Sequence, residues 1–336
     1  MLKRILAAAL ALLMSLIALE GCGQQGTTKT NEDINNNTYA KAHFDKVVMT
    51  IGDIEITYET YRYLYMSCRN NYESKNITKT VDEIKAEVLE ELFYESAVMT
   101  LANRYNANLT DKQKKDIDTH VQTLVNTYKE YGSDLDETLA ENYMTQKVYK
   151  ESYAFENYLT GNVFDYCKNK DNNILDFSED AVDALMKQYN RVQMIYVSVG
   201  EARDDAAAVA KADGILKMLA DGEDFEKTAK GYSDDIGSDL TVGVYFQPGE
   251  IDNTIETIYN TLNEGDYSKE AIKTENGYYI IRRVAADKKY FTENLYPYYA
   301  FNEMLKETKA GLSVVYTEFF TTMFDGKNLI PERKPE

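Results

Sequence analysis

The apolar pattern changes period at Arg191, and that change most limits what the chain can fold into. Upstream, apolar side chains recur at helical spacing. Thr80 and Glu83 make a capping-box pattern ahead of Ile84, Val88, Leu92 and Met99. Then comes "RVQMIYVSVG", with β-branched and aromatic residues, almost no charge, and a glycine where it stops. That composition is a strand's. Alternation puts Val192, Met194 and Tyr196 on one face and Gln193, Ile195 and Val197 on the other.

Around this point the order of elements can be read. "VVMTIGDIEITYETYRYLY" predicts a short strand, a turn at Gly52 and Asp53, and a helix from near Thr57. Helices are expected over 110–131, 135–148, 150–168 and 178–189, the last capped by Ser178. Residues 45–189 thus read as a helical domain opened by a strand. Past Arg191 come a helix over 202–220, a short helix around Phe225 and Ala229, and the loop "SDDIGSDLTVGVYFQPGE". A helix from Ile251 to Leu262 follows, then two strands joined near Asn276-Gly277, a strong hairpin dipeptide. This β-α-α-β-α-β-β order over residues 190–286 is an α+β domain. Residues 287–325 carry an expected amphipathic helix, roughly 293–323, and 326–336 form a polar tail.

The chain has 336 residues, 44% of them hydrophobic, enough for two domains with cores. Its 56 acidic against 37 basic side chains give −19, which repels a phosphate backbone and argues against nucleic acid as a partner. Basic or unfolded polypeptides remain possible partners. There is no His/Cys cluster, "SDDIGSD" lacks the EF-hand spacing, and no phosphate-binding glycine loop or nucleophile-and-base pair is present. No cofactor or metal is implied.

At the start of the chain, Lys3 and Arg4 precede an uncharged, mostly apolar run from Ile5 to Leu19. The run falls short of the roughly 20 residues of a membrane span and suits an export signal. "LEGC" follows, with Gly21 before Cys22, and resembles the lipobox of bacterial lipoproteins. The resemblance implies a signal peptide over 1–21, diacylglyceryl on Cys22, and a place on the extracytoplasmic face of the cell membrane. Residues 22–44, rich in Asn and Thr, read as a flexible tether. The other cysteines, Cys68 and Cys167, do not establish a disulfide by their spacing; each reads as a small apolar side chain.

The 191–284 segment resembles the parvulin (PpiC) type of peptidyl-prolyl cis-trans isomerase, or rotamase. "ADGEDFEKTAKGYSDDIGS" carries that family's spacing of Gly222, Phe225, Ala229, Ser233, Asp235, Gly237 and Ser238. "LNEGDYSKEAIKTENGYYIIRRV" resembles its closing strands, with Leu262, Gly265, Ser268, Thr274, Gly277, Tyr278, Ile280, Ile281 and Val284 in place. The opening strand and helix are similar to those of the SurA and PrsA chaperone families. In those families a helical domain built from both chain ends carries the parvulin domain as an insert. The resemblance therefore implies that residues 293–323 pack against residues 57–105.

Where this chain departs from the parvulin pattern is informative. The family's two active-site histidines fall on Met194 and Tyr279, and the chain's only histidines, His43 and His120, lie outside the segment. The family's central Asp or Cys falls on Thr241, or on Asp239 if the gap is placed differently. Candidates for a peptide groove are Met194, Tyr245, Ile251, Ile255 and Tyr279. Met194 cannot donate a hydrogen bond, whereas Tyr279 can; Met194 reads equally as core filling. The resemblance implies a lipid-anchored chaperone or foldase that assists unfolded exported polypeptides, with a domain weak or inactive as an isomerase. Alternatives are an active isomerase with a rearranged site, and a surface lipoprotein binding a solute or host ligand. The stripe Leu295, Tyr298, Tyr299 and Phe301 reads as core or as a client-facing surface.

Overall fold

In the computed structural model, residues 42–324 are described, apart from Ile236 and Ser238. The expected signal peptide, Cys22, most of the tether and the polar tail lie outside them. The chain divides into two compact units: one takes residues up to Ile174 together with those from Phe301 on, the other Leu175–Ala300.

The first unit opens with a hairpin, β1 (Val47–Ile51) and β2 (Ile54–Thr57), turned at Gly52 with φ +58°. The second strand is so short that only the turn was expected. Thr57 caps α1 (Tyr58–Glu73), and Thr80 closes the expected capping box on α2 (Val81–Tyr105). Thr110 and Gln113 form a second box at the start of α3 (Asp111–Glu130). The expected helices 135–148 and 150–168 divide elsewhere. α4 (Leu135–Glu141) ends where Tyr143 turns left-handed (φ +61°), and Thr145 caps α5 (Gln146–Ala154) through the Val148 amide, 3.2 Å away. From there the chain stays helical through a π turn, Phe155–Leu159, into α6 (Thr160–Lys168). Cys68 and Cys167 are free thiols in buried positions, and the Cys68 thiol faces Glu87 at 3.6 Å. Burial pushes both thiols up to about 11.

The second unit begins with α7 (Glu179–Met186), capped by Ser178 as expected. Its sheet has the order β4-β3-β6-β5, all antiparallel: β3 (Asn190–Ser198), β4 (Val244–Phe246), β5 (Ile272–Thr274) and β6 (Gly277–Arg283). α8 (Asp205–Ala220) and α9 (Phe225–Tyr232) cover one face through Ala208, Ala212, Ile215 and Phe225, packed on Ile195, Val197, Tyr278 and Ile280. α10 (Asn253–Tyr259) covers the other, where Ile255 and Tyr259 meet Val192, Phe246, Ile272 and Ile281. Period-2 alternation on β3 therefore sorts its side chains between two cores as expected. Gly277, with φ +148°, opens β6 where a Cβ would collide with the Val197 carbonyl.

The unit is wider than the expected 190–286. Val182 and Leu185 of α7 cluster with Tyr245, Phe291 and Tyr296, and Tyr189 stacks on Tyr299 at 4.2 Å. An apolar third layer thus binds both flanks of the α+β domain into one body. Leu295 and Tyr299 of the expected stripe belong to this layer; Tyr298 is exposed and Phe301 is buried.

The expected 293–323 helix is broken. A π turn (Phe291–Leu295) leads into α11 (Tyr296–Ala310), which stops at Gly311. The β-branched "VVY" becomes a strand, β7 (Val314–Tyr316), before α12 (Glu318–Phe324). β7 pairs with β1 (Met49 opposite Tyr316, Ile51 opposite Val314), giving the sheet β2-β1-β7. Phe320 joins the core of Tyr61, Tyr65, Ile84, Val88 and Leu92, in edge-to-face contact with Tyr61 at 5.1 Å. The return of the C-terminal segment to residues 57–105 is thus present, made by a strand and a short helix.

Two predictions follow from these anchors. Phe320→Ala should cost the first unit about 3–5 kcal/mol of stability in urea unfolding, the usual range for a buried phenylalanine; a loss under about 0.5 kcal/mol would mean that the C-terminal return is not part of the core. In the second unit Asp234 accepts from the Ser198 amide (2.9 Å), the Ser198 hydroxyl (3.1 Å), Lys211 (2.7 Å) and Arg203. Partial burial raises its pKa, but the hydrogen bonds from Arg203, Lys211 and Ser198 outweigh it and hold the carboxyl well below the ordinary range. A depressed carboxyl stabilises the fold above its unfolded pKa, about 4, and loses that contribution as pH falls further. By calorimetry, Asp234→Asn should melt below the native protein at pH 7, with the gap narrowing below about pH 4.

Candidate functional site

The site lies on the α10 face of the second sheet, and strand register decides which side chains meet. Met194 stands opposite Ile281, and Tyr196 opposite Tyr279, so Met194 and Tyr279 are diagonal neighbours on one face. Both are half-buried, packed with Ile251 against the core that contains Ile255 (4% exposed). Four of the five groove candidates, Met194, Ile251, Ile255 and Tyr279, are therefore brought together.

Tyr245 is not among them. On β4 its neighbours Val244 and Phe246 point to the groove core, so alternation sends Tyr245 into the third layer beside Phe291. There its hydroxyl accepts from the Asp287 amide at 2.8 Å. Thr241 also stands apart from the groove cluster. Its amide donates to Asp239 (2.9 Å), and its carbonyl accepts from Gln193 and, at 3.5 Å, from Arg191. Asp239 accepts from the Thr241 and Val242 amides, and those two bonds lower its pKa. Both residues shape the turn before Gly243, which lies so close to β3 that a Cβ would meet the Val192 carbonyl.

Tyr196 is the site residue that sequence reasoning did not single out. Its ring lies 4.8 Å from that of Tyr279, and its hydroxyl donates to the Asn276 carbonyl at 2.6 Å. Alternation had placed it on the Met194 face, but only the register shows that it braces Tyr279. The Tyr279 hydroxyl, by contrast, makes no hydrogen bond among the described residues. Burial, Tyr196, Asp235 and Asp252 together raise its pKa, so near neutrality it is a proton-bearing donor.

On the opposite face Gln193, 1% exposed, accepts from Arg282 (Nε, 2.8 Å) and donates to Glu226 at 3.2 Å. This polar set, buried at Gln193 and half-buried at Arg282 and Glu226, joins β3, β6 and α9 on the face away from the groove. The chain's two histidines belong to the first unit: His120 stacks on Tyr153 at 4.2 Å, with the Tyr149 hydroxyl 2.9 Å away, and His43 stacks on Phe319. The groove thus offers an apolar floor and, among the described residues, a phenolic donor with no hydrogen-bond partner.

Comparison with known proteins agrees with this anatomy. The family described as rotamase, PPIC-type PPIase domain, matches residues 194–285. Foldase protein PrsA 1 of Lactobacillus johnsonii is 28% identical over 189 residues, 55% of this chain and 56% of that protein. Foldase protein PrsA 1 of Listeria monocytogenes is 28% identical over 210 residues, 60% of this chain and 67% of that one. Chaperone SurA of Chromohalobacter salexigens is 34% identical over 94 residues, 27% of this chain and 21% of that one. The matches thus span roughly half to two thirds of the PrsA relatives' length. A crystal structure of PrsA from Bacillus subtilis aligns with 84% of this chain and 100% of its own at 19% identity, with a TM-score of 0.30, too low to support an argument. Residues 194–285 match the PPIC-type PPIase domain family, in a chain similar to the PrsA foldases and the SurA chaperones.

Proposed function

We propose that this chain is an extracytoplasmic foldase of exported proteins, anchored through lipid on Cys22. In this reading its PPIC-type unit keeps a peptide groove and has little isomerase activity. The observation that carries the proposal is the pair Met194 and Tyr279 at the positions where the family has histidines, on an apolar floor with Ile251 and Ile255. The similarity to PrsA and SurA supports the client class, unfolded or partly folded exported polypeptides.

The chemistry explains how binding and catalysis separate here. Prolyl isomerisation breaks no covalent bond; its barrier is rotation about a partial double bond, roughly 20 kcal/mol. Lowering it takes two things: a dry seat for the ring, and polar groups fixed where the twisted amide needs them. Ile251, Ile255 and Met194 supply the first. For the second, the described residues of the groove supply the Tyr279 hydroxyl, which Tyr196 braces at the ring but no hydrogen bond orients.

A chain beginning at Gly23 tests this with two measurements. In NMR exchange on a panel of proline peptides, rates should stay at the uncatalysed level. In light scattering, the same preparation should suppress aggregation of a chemically unfolded client. Exchange far above background that collapsed in Tyr279→Phe would establish an active isomerase run by the phenol and overturn the proposal.

A further inference from the structure

The groove has an acidic rim. Asp252 caps α10, accepting from the amides of Thr254 (2.8 Å) and Ile255 (3.3 Å). Its exposed carboxylate is thereby fixed between the two groove isoleucines, Ile251 and Ile255. The loop after α9 runs beside Tyr196, whose carbonyl accepts from the Asp234 amide at 2.8 Å, and brings a second carboxylate, Asp235, held by the Gly237 amide at 3.0 Å. Both act on the Tyr279 hydroxyl, after burial and Tyr196, in raising its pKa.

Several cations of this unit are engaged elsewhere. Arg203 and Lys211 pair with Asp234, Lys273 with Asp205, and Arg282 with Glu226. Arg283 lies over the Tyr259 ring and donates to the Leu262 carbonyl, while Lys230 acts on Asp239. Among the described residues no lysine or arginine forms an ion pair with Asp252. An extended peptide that lays an apolar or proline side chain on Met194, Ile251 and Ile255 must carry its neighbouring residues past this rim. A cationic neighbour would meet negative charge held by backbone amides alone at Asp252, and an acidic neighbour would be repelled.

We propose that the groove selects extended peptides in which an apolar or proline residue is flanked by lysine or arginine, with Asp235 and Asp252 as the discriminating residues. This rests on the peptide-binding role proposed above. Asn can cap a helix and close the same turn, so the double variant Asp235→Asn, Asp252→Asn removes charge while retaining the backbone contacts.

The test uses the chain from Gly23 on, labelled at its methionine methyls, and three peptides of the form Ala-Xaa-Leu-Pro-Xaa-Ala with Xaa as Lys, Gln or Glu. The Met194 methyl reports occupancy. At low salt the Lys peptide should bind more tightly than the Gln peptide by up to about fivefold for each carboxylate met, and the Glu peptide more weakly than either. The margin should shrink in about 0.5 M salt and vanish in the double variant. If Lys and Gln peptides move the Met194 methyl with equal affinity, the charge selection is wrong while the groove stands. If none of the three peptides moves it, the groove reading itself fails.

Discussion

β3 is hydrogen-bonded on both sides, by β4 and β6, and both of its faces are covered by helices. A strand enclosed in this way has no freedom of register: a slip of one residue would send Ile195 and Val197 out of one core and Met194 out of the other. Polar anchors reinforce the constraint. Gln193 ties the strand to Arg282 and Glu226, and Asp234 grips its far end at Ser198. Everything on the groove side depends on this fixed strand, because Met194 and Tyr196 come from it directly and Tyr279 is set by its pairing.

The first unit uses the same device at smaller scale. β1 is the middle strand between β2 and β7, and its buried Val48, Met49 and Ile51 form the root of the tyrosine-rich core. β7 comes from the far end of the chain, so the pairing of β1 with β7 closes a very long loop. Such closure costs entropy that grows only slowly with length. A few ladder bonds cannot offset it alone. Burial of Phe320 and of Leu312 and Val314 against the same core supplies the remainder. A whole α+β unit can then be carried within the loop without weakening the body that holds its ends.

What could be read in the sequence was what neighbouring residues decide. Capping pairs such as Thr80 with Glu83, the alternation through Met194, and the hairpin near Asn276-Gly277 are local signals that appear where expected, although the turn itself falls on Glu275 and Asn276 and Gly277 opens β6. Most of the errors share one cause. Val314–Tyr316 is a strand only because β1 offers an open edge, and that partner lies far away in sequence. Tyr245 looked like a groove residue because tyrosine suits both wet and dry surroundings; which side of β4 it takes depends on register with β3. Tyr196 was missed as a site residue for the same reason. The break at 142–145 follows from a left-handed Tyr143, for which the residue type gives no warning. In the site, residue types were legible and pairings were not.

In the reading proposed above, the two replacements in the groove differ in kind, and that difference bears on how the site would have lost one property and kept another. Methionine for histidine at 194 removes two nitrogen positions but keeps bulk and adds polarizable apolar surface, so a peptide's side chain loses little contact. Tyrosine at 279 keeps a donor, but at the end of a longer, rigid arm whose position is set by the ring of Tyr196. The phenol can therefore hydrogen-bond a bound carbonyl without being steered as it twists. Stabilisation that is equal in the planar and twisted amide tightens binding and leaves the barrier where it was. A groove so built would hold proline segments through apolar contact and one unsteered donor, which is what holding an unfolded chain requires and what turning it over does not.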